Sequence, residues 1–468
     1  MSNCCVQSVP PDSSYEAFGQ PMMDWMARLT AGLNRSIPNA NQTMGDLERE
    51  IIEQTQGLEC KLLEEASQKK ADQSPPVCPV CGHQLSRLSD GHQRTYQTRF
   101  GPVTIRRSRG WCKRCKVWRF PADYALGLED TGSASPSVQE MAALLASKMP
   151  VAEASAVLDH LTGVKLPPAT LDREARRQGK RAERKRKELD EQMSAGQGQP
   201  CVPLPQKPFT LVIEIDAWNI RERDHWGQSQ QRRTQGVEPE RWHWVYGGTC
   251  FRLDQRTQTD TGRPIILSRG TVMTRGGIDA LREQLFAECL RHGAGQAAEV
   301  LVVADGAMWI WKLVADRFAT ATQRLDFYHA SQHLWAVAHA LHPEDAQAAH
   351  QWIEPLLKKL KAGRSVHVIG ELKAVTRHLR AKRRAAAQSE LEYFQTHRDR
   401  LDYQIAKKRG QPLGSGAIES TCRQYQCRFK RPGQFWTRSG DEALMCLETF
   451  WRNGRWHLLF PHSDPSKN

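Results

Sequence analysis

Two acidic residues follow apolar, β-branched runs in the sequence, at positions where a carboxylate could take part in chemistry. Asp216 ends the run FTLVIEID (209–216), and Asp305 follows the run EVLVVA (299–304). In an open α/β sheet, the carboxyl ends of the strands border the crevice in which ligands bind. Burying a carboxylate is costly unless it is paired or holds a cation, so two acids at neighbouring strand ends indicate a metal site. The alternative is that each acid only caps the turn that follows it.

A third acid lies far downstream, in the segment PLGSGAIES (412–420). The glycines of this segment permit a close approach of the backbone, and Ser415 is predicted to cap a helix that starts there. Glu419 then lies in the first turns of that helix, with Arg423 one turn further on the same face. An acid at this position can also serve only as a partner of the helix dipole. With the two strand acids, Glu419 would complete a set of three carboxylates, the ligands that magnesium prefers.

Other acids compete for these roles. Glu214 lies two residues before Asp216 on the same strand face, and Asp224 and Asp326 are further candidates. Asp216 is favoured because it is predicted to end its strand, where a substrate can reach it. Asp326 opens and His329 closes the string DFYH. A helix cap followed by an ordinary helical histidine is one interpretation of this string; a histidine at the edge of a polar site, where it can donate a hydrogen bond or carry a proton, is the other.

Several tryptophans are predicted to be structural. Trp242 and Trp244 lie on one face of a predicted strand, a position that more often belongs to a core than to a base-stacking surface. Trp436, in the basic C-terminal segment, is a better stacking candidate, although core packing is still favoured for it.

Two CxxC pairs flank a predicted β-hairpin that turns at Gly101-Pro102. The four thiolates, presented by two tight turns, suit the tetrahedral coordination of one structural zinc ion. The predicted zinc ligands are Cys78, Cys81, Cys112 and Cys115. His83 is an alternative ligand but a disfavoured one. Between Cys78 and Phe120 there are ten Lys or Arg residues and one acid, Asp90, so this zinc ribbon is expected to face phosphates as well.

The pattern of residues 135–191 predicts helices with a break at 163–168, and the last helix carries a basic stripe. A short helix, a turn and a basic helix resemble a helix-turn-helix, whose second helix lies in a DNA major groove. A helical hairpin that does not touch DNA is the alternative. The residues predicted to contact DNA are Arg173, Arg176, Arg177, Lys180 and Arg184 on the stripe, and Arg423.

From residue 209 onward, the predicted order of elements is β-β-β-α-β-α-β-α. The strands are expected at 209–216, 241–253, 264–274, 300–304 and 322–327, and the helices begin near 277, 308 and 328. This is the order of the ribonuclease H fold, a mixed sheet with helices on both faces, although other α/β folds share it. A helical pattern then continues to residue 401. Residues 358–384 contain ten Lys or Arg and one acid, which favours an all-helical insertion that grips DNA over a solvated helical face.

The chain is therefore predicted to be a multidomain α/β protein with seven segments. These are an N-terminal helical segment (1–70), the zinc ribbon (71–125), a helix-turn-helix-like DNA-binding module (130–192), a Gly/Pro/Gln-rich linker (193–208), the first part of the core (209–340), the helical insertion (341–405), and a core-closing helix with a basic tail (406–468).

Composition narrows the class of protein. A formal net charge of +14 over 468 residues favours an anionic polymer as partner, and nucleic acid is the obvious one. The N-terminus lacks the pattern of a signal peptide, and no apolar run is long enough to cross a membrane, so a soluble cytoplasmic protein is expected. Thirteen cysteines in a reducing compartment favour metal binding over disulfides.

Taken together, these motifs resemble a known family. Asp216 in EIDAW, Asp305 in VVADGA, the DFYH string and Glu419 in GSGAIES are similar to the catalytic core of the DDE transposases, and most closely to the ISKra group of bacterial insertion-sequence transposases. The likeness extends over most of the chain. The DFYH string resembles the Asp-x-x-His signature of related transposases, including the Mutator-like ones.

The resemblance implies a function, cofactors and partners. It implies cleavage and joining of double-stranded DNA, at transposon ends and at a target, by two magnesium or manganese ions that Asp216, Asp305 and Glu419 hold. Asp326 and His329 would lie near the scissile phosphate. It also implies a homodimer or larger assembly on DNA and association with the nucleoid when bound. A DNA-binding regulator derived from a transposase, or a junction nuclease of the same fold, are the alternatives.

Overall fold

The computed structural model describes residues 16–36, 41–128, 132–223, 227–238, 241–437 and 440–461. It divides into two compact units, Met1–Ala175 and Arg176–Asn468. The division falls inside a long helix (Pro168–Ser194) rather than at the predicted linker of residues 193–208. The alternative acid Asp224 lies outside the described residues. In the part of the chain that is described, no helix combines the length and apolarity needed to cross a membrane.

The first unit contains a small three-stranded sheet and several helices. Its strands β1 (Ser86–Thr98), β2 (Gly101–Cys112) and β3 (Val117–Arg119) pair antiparallel in that order. Its helices are α1 (Glu16–Ser36), α2 (Met44–Asp72), α3 (Pro121–Ala125), α4 (Pro136–Lys148), α5 (Val151–Thr162) and the start of α6 (Pro168–Ser194). Tyr96, Val103 and Ile105 of the hairpin pack against Leu63 of α2 and form the core of this unit. Gly163, with φ of 69°, ends α5 in the left-handed conformation that glycine favours, where the helical break was predicted.

The second unit contains the larger sheet and most of the helices. Its strands are β4 (Thr210–Glu222), β5 (Arg241–Arg252), β6 (Arg256–Gln258), β7 (Pro264–Ile266), β8 (Gly270–Thr274), β9 (Glu299–Ala304) and β10 (Thr322–Leu325). Its helices are α7 (Ser229–Thr234), α8 (Ile278–Arg291), α9 (Met308–Arg317), α10 (Phe327–Leu341), α11 (Ala346–Lys361), α12 (Ser365–His378), α13 (Ala381–Thr396), α14 (Tyr403–Lys408), α15 (Gly416–Phe429) and α16 (Asp441–Arg452). The segment predicted as an all-helical insertion is helical, and it comprises α11 to α14.

The main sheet is mixed and has five strands in the order β10-β9-β4-β5-β8. β9 and β10 run parallel to β4, whereas β5 runs antiparallel to β4 and β8 antiparallel to β5. The prediction of one continuous third strand over 264–274 is wrong. Its first part, β7, pairs with β6 in a separate hairpin, and only β8 joins the main sheet.

Alternation along the central strands separates the two faces of the sheet. Leu211, Ile213 and Ile215 of β4 enter the main core, which continues into α8 to α13. Val212 lies on the opposite face, in a smaller cluster with Leu301 and Val303 of β9 and Ala417 of α15. Side chains along a strand alternate with a period of two, so Asp216 lies on the same face as Val212, and Asp305 on the same face as Val303. This is the face that α15 covers.

Candidate functional site

The two strand acids lie side by side on neighbouring parallel strands. The register pairs Ile215 of β4 with Ala304 of β9, so the next residues, Asp216 and Asp305, follow directly at the point where β9 ends. Burial raises the pKa of Asp216, and the charge of Asp305 raises it further. A buried carboxyl group whose ionisation is opposed by a neighbouring acid is a position that favours a cation.

Asp216 does not end its strand, so the sequence prediction was wrong on this point. β4 continues to Glu222, because β5 continues to pair with it as far as Arg241. Only the partner on the other side, β9, stops at Ala304. Asp216 is therefore reachable because a neighbouring strand ends beside it.

Glu419 faces the same cleft as Asp216. An open cleft of about 670 Å³ is lined by Asp216, Tyr328, His329, Gln332, Leu413, Gly414, Gly416, Glu419, Cys422, Arg423 and Gln426. Asp305 does not line this cleft, but its charge acts on both Asp216 and His329. The exposed Arg423 lies one helical turn after Glu419, and it places a cation at the rim. Three segments far apart in sequence thus converge on one cleft.

Glu214 has a role that the sequence reasoning missed. Its side chain is wholly buried, and it accepts a hydrogen bond of 2.8 Å from the backbone N–H of Ile418 and another from that of Ala417. Burial raises the pKa of Glu214 to about 8, although these two hydrogen bonds oppose the shift. Glu214 therefore fixes the first turn of α15 to β4, and with it the position of Glu419. Its position two residues before Asp216 was the available signal, but the helix it contacts is some two hundred residues away in sequence.

Asp326 holds the same loop from another direction. Its side chain is fully buried and caps α10, accepting hydrogen bonds from the backbone N–H groups of Tyr328 and His329. It also accepts hydrogen bonds from the N–H (2.5 Å) and the hydroxyl (2.7 Å) of Ser415. Burial alone would raise the pKa of Asp326, but the hydrogen bonds from His329 and Ser415 outweigh it and lower that pKa to about 2. Asp326 therefore does cap a helix, as the helix-cap interpretation of the DFYH string held.

Ser415 is the N-cap residue of α15, but it does not cap the helix through its side chain. Its hydroxyl is directed instead to Asp326, and it lies 3.5 Å from a carboxylate oxygen of Glu419. The predicted cap position is therefore correct, whereas the predicted cap hydrogen bond is replaced by a link between two acidic residues.

His329 lies among the acids. Its Nδ1 atom is 3.6 Å from Asp326 Oδ1, which is too long for a hydrogen bond, and this buried nitrogen has no hydrogen-bond partner among the described residues. Interaction with Asp326 raises the pKa of His329, and the charges of Asp305 and Glu419 add to this effect. Asp326, His329 and Glu419 present ligand atoms that all lie within 4.8 Å of one another and could hold a metal ion. Of the predicted magnesium ligands, this group contains Glu419 alone.

The four cysteines of the first unit gather as their spacing predicts. The sulfur atoms of Cys78, Cys81, Cys112 and Cys115 lie within 4.8 Å of one another, and the group could hold a metal ion such as zinc. Each CxxC pair forms a tight turn: the N–H of Gly82 donates to the carbonyl of Cys78, and that of Lys116 donates to the carbonyl of Cys112. Gly82 and Lys116 both have positive φ, the conformation such turns require. His83 makes a long contact with the carbonyl of Cys81 and is not part of the group.

The predicted DNA-contacting side chains of α6 differ in their surroundings. Arg173, Lys180 and Arg184 are exposed, whereas Arg177 is half-buried. Arg176 is also half-buried and donates a hydrogen bond of 3.0 Å to the hydroxyl of Thr437. Arg176 therefore contributes to the packing of the second unit, a role that a one-dimensional charge stripe does not reveal.

The tryptophan predictions were wrong for two residues. Trp242 and Trp244, expected in a core, are 54% and 53% exposed. β8 pairs with β5 only from Tyr246 onward, so among the described residues no strand pairs with the start of β5 on that side. Trp436, weighed as a stacking candidate, is buried, and its indole N–H donates to the carbonyl of Phe429. For Trp436, the favoured core interpretation matches its observed burial.

Comparison with known proteins gives one distant relative. A protein of Streptococcus gallolyticus described as "UPF0236 protein in vanSb 3'region" is 26% identical over 405 residues, which cover 82% of this chain and 78% of the relative. No family model matches the sequence. The alignment spans most of both chains, so the similarity extends well beyond any single motif.

Proposed function

We propose that this protein is a DNA transposase that cuts and joins DNA strands with divalent metal ions. The observation that carries the proposal is the convergence of Asp216, Asp305 and Glu419 on one face of the mixed sheet, around His329. Such a convergence is what phosphoryl transfer at two metal ions requires.

The sheet supports a ribonuclease H-like core. Strands β4, β5 and β8 form an antiparallel series, and β9 and β10 are added parallel to β4 on its other side. If β4, β5, β8, β9 and β10 are numbered 1 to 5 in chain order, they lie across the sheet in the order 5-4-1-2-3. We attribute this strand order to a ribonuclease H-like core. The acids at the centre of the sheet and on α15, together with the DFYH string, agree with the ISKra group of DDE transposases.

The residues fit magnesium or manganese. Carboxylate oxygens are hard ligands; Asp216 and Glu419 supply them at an open cleft, and Asp305 adds a third carboxylate beside Asp216. His329 also lines the cleft, and a ring nitrogen of this residue could serve as a further metal ligand beside Glu419. Two such ions, when bound, would activate the attacking oxygen and stabilise the leaving oxygen of a phosphodiester.

The residues around the acids would bind the DNA and hold the acids in position. Arg423 is exposed at the rim of the cleft, where its guanidinium can pair with a phosphate of the DNA. His329 can hold a proton at Nδ1 beside the scissile phosphate. Glu214 and Asp326 do not line the cleft. Their hydrogen bonds fix the loop that carries Glu419.

The proposed partners are double-stranded DNA and further copies of the chain. The net charge of +14, the exposed basic side chains of α6 and the four-cysteine group support binding of double-stranded DNA, both transposon ends and target. Pairing two DNA ends calls for a homodimer or a larger assembly. The place of action would be the cytoplasm, at the nucleoid.

The test is cleavage of a donor plasmid that carries the DNA flanking this reading frame. Asp216→Asn, Asp305→Asn and Glu419→Gln should each reduce magnesium-dependent cleavage at least about 10³-fold and leave duplex affinity nearly unchanged. Asp279→Asn is the matched control, because that carboxylate has an 85% exposed side chain on α8 and lies outside the cleft. Full activity in any one of the three variants would reject the triad. Duplex binding without cleavage by the unmodified protein would favour a regulator instead.

A further inference from the structure

Beyond Asp216, strands β4 and β5 continue as a ribbon, and Trp436 joins the edge of β4 near its end through backbone hydrogen bonds with Arg221 and Arg223. We name this the β4–β5 ribbon, residues 217–222 and 241–246. Over this stretch β9 has already ended, and β8 reaches only Tyr246. A ribbon with so little further strand pairing is at best marginally stable in water, so at least one face has to be covered. The inner face is covered, since Trp218, Ile220 and Val245 are buried.

The outer face of the ribbon is aromatic and open. It carries Trp242 and Trp244, each slightly more than half exposed, and the half-buried Tyr246. The ring of Tyr246 meets that of Trp309 edge to face, with centroids 5.2 Å apart. Trp309 lies in α9, four residues after Asp305. The four rings thus form a strip that runs from the tip of the ribbon toward the helix that follows Asp305.

Cations accompany these rings. The guanidinium of Arg221 lies 5.0 Å from the centroid of Trp242, and the ammonium of Lys430 lies 5.6 Å from it. Both side chains are exposed. A cleft of about 760 Å³ beside the ribbon is lined by the three rings of the outer face, by Lys180 and Arg186 of α6, and by two acids, Glu183 and Glu442. Of its two acids, Glu442 accepts hydrogen bonds from the hydroxyl of Thr274 and the N–H of Arg275.

We propose that the outer face of the β4–β5 ribbon binds unpaired bases of DNA, which stack on Trp242 and Trp244 while Arg221 and Lys430 contact the adjoining phosphates. This inference rests on the proposed function and specifies a further ligand for it, a single-stranded segment of the DNA held on the sheet face opposite to Asp216. Stacking on an aromatic side chain requires an open base face, and the bases of an intact duplex have both faces covered by their neighbours. Aromatic rings interleaved with cations are the usual means by which proteins hold single strands.

A second copy of the chain fits this face less well. Self-association would bring Arg221 and Lys430 of two copies close to each other, on chains that each carry a net charge of +14. Interfaces between proteins are enriched in aromatic residues but depleted in lysine. A polyanion, in contrast, is complementary to both the rings and the cations.

The test measures DNA binding by the full-length protein without magnesium, so that its outcome does not depend on cleavage. The probes are a fluorescein-labelled oligothymidylate of about 20 nucleotides and a duplex of the same length, followed by fluorescence anisotropy. The double variant Trp242→Ala/Trp244→Ala should bind the single strand at least about tenfold more weakly and the duplex within about twofold of the unmodified protein. Trp242→Phe/Trp244→Phe should restore most of the single-strand affinity. Trp451→Ala is the matched control, because Trp451 is 45% exposed on α16, outside the ribbon, and it should change neither affinity.

Salt dependence separates the roles of rings and cations. Arg221→Gln/Lys430→Gln should reduce the slope of log Kd against log salt for the single strand by about 1.4, whereas the double alanine variant should leave this slope unchanged. Unchanged single-strand affinity in Trp242→Ala/Trp244→Ala, or equal losses for single strand and duplex, would overturn the proposal. So would a loss of self-association in sedimentation velocity with no change in single-strand binding. If the proposed function failed instead, the plasmid would stay uncut while the single-strand measurements held.

Discussion

Replacing Gly414 by alanine should damage the site through a single added methyl group. A Cβ atom at this position would lie 2.6 Å from Cδ2 of Tyr328 and 3.0 Å from a carboxylate oxygen of Asp326. The ring of Tyr328 is 63% exposed and can turn away, but Asp326 is fully buried and is fixed by its hydrogen bonds to α10 and Ser415. The loop must therefore move instead, at a cost of about 1–3 kcal/mol, the usual range for overpacking.

Gly416→Ala provides a matched control two residues away. A Cβ atom at Gly416 would meet nothing within 4 Å, and Gly416 is already helical, so this change should be neutral or slightly stabilising. Hydrogen exchange followed by mass spectrometry on peptides from 413–429 reports the local effect. Exchange there should be about 5- to 150-fold faster in Gly414→Ala, which corresponds to the expected loss of about 1–3 kcal/mol.

Cleavage should follow the same order. A shift of the loop moves Glu419 relative to Asp216, and small displacements of catalytic groups can cost about 10²-fold in rate. We therefore expect magnesium-dependent cleavage of the donor plasmid to fall about 10- to 100-fold in Gly414→Ala and to stay near the unmodified level in Gly416→Ala. If Gly414→Ala matched Gly416→Ala in both exchange and cleavage, the account of this loop as a tightly fitted support for Glu419 would be refuted.

Two further predictions concern buried or clustered groups. Burial raises the pKa of Glu214 to about 8, so the native state keeps a proton that the unfolded chain releases from about pH 4.5 upward. The contribution of Glu214 to the free energy of unfolding is therefore complete at low pH and is lost as the pH rises toward 8. Glu214→Gln cannot release that proton, and its stability relative to the unmodified protein should rise between pH 5 and 8, by on the order of 3–5 kcal/mol in urea unfolding; parallel pH profiles would contradict this. Cys112→Ser should remove zinc, measured by mass spectrometry of the metal content, and weaken duplex binding, whereas Cys427→Ser, at an exposed cysteine outside the four-cysteine group, should keep its zinc; unchanged zinc in Cys112→Ser would exclude the assignment.

Local patterns in the sequence predicted local structure well. The CxxC spacing led to four gathered thiols, and the apolar, β-branched run FTLVIEID led to a strand, on which Glu214 and Asp216 share one face. Patterns of this kind depend on the geometry of one turn or one strand. They did not reveal that Glu214 is buried under α15 while Asp216 faces the cleft, because α15 comes some two hundred residues later in the chain.

The errors have a common physical origin in strand pairing. Alternation places Trp242 and Trp244 on one face, but whether that face is covered depends on where β8 begins to pair with β5. The extension of β4 past Asp216 likewise depends on the length of β5 rather than on residues near Asp216. Exposure of a side chain on a strand is thus a property of its neighbours, which a single sequence read in order does not supply.

The start of α15 shows how the chain fixes its acids without help from a ligand. A helix N-terminus ordinarily offers free N–H groups to an anion such as a phosphate. Here the N–H of Ser415 donates to Asp326, and those of Ala417 and Ile418 donate to Glu214. The helix N-terminus is therefore occupied by two carboxyl groups of the protein itself, and these N–H groups are not free for an anion. Under the proposed function, phosphate recognition at the cleft would then fall to side chains such as Arg423, while the backbone of the GSG loop holds Glu419 in place.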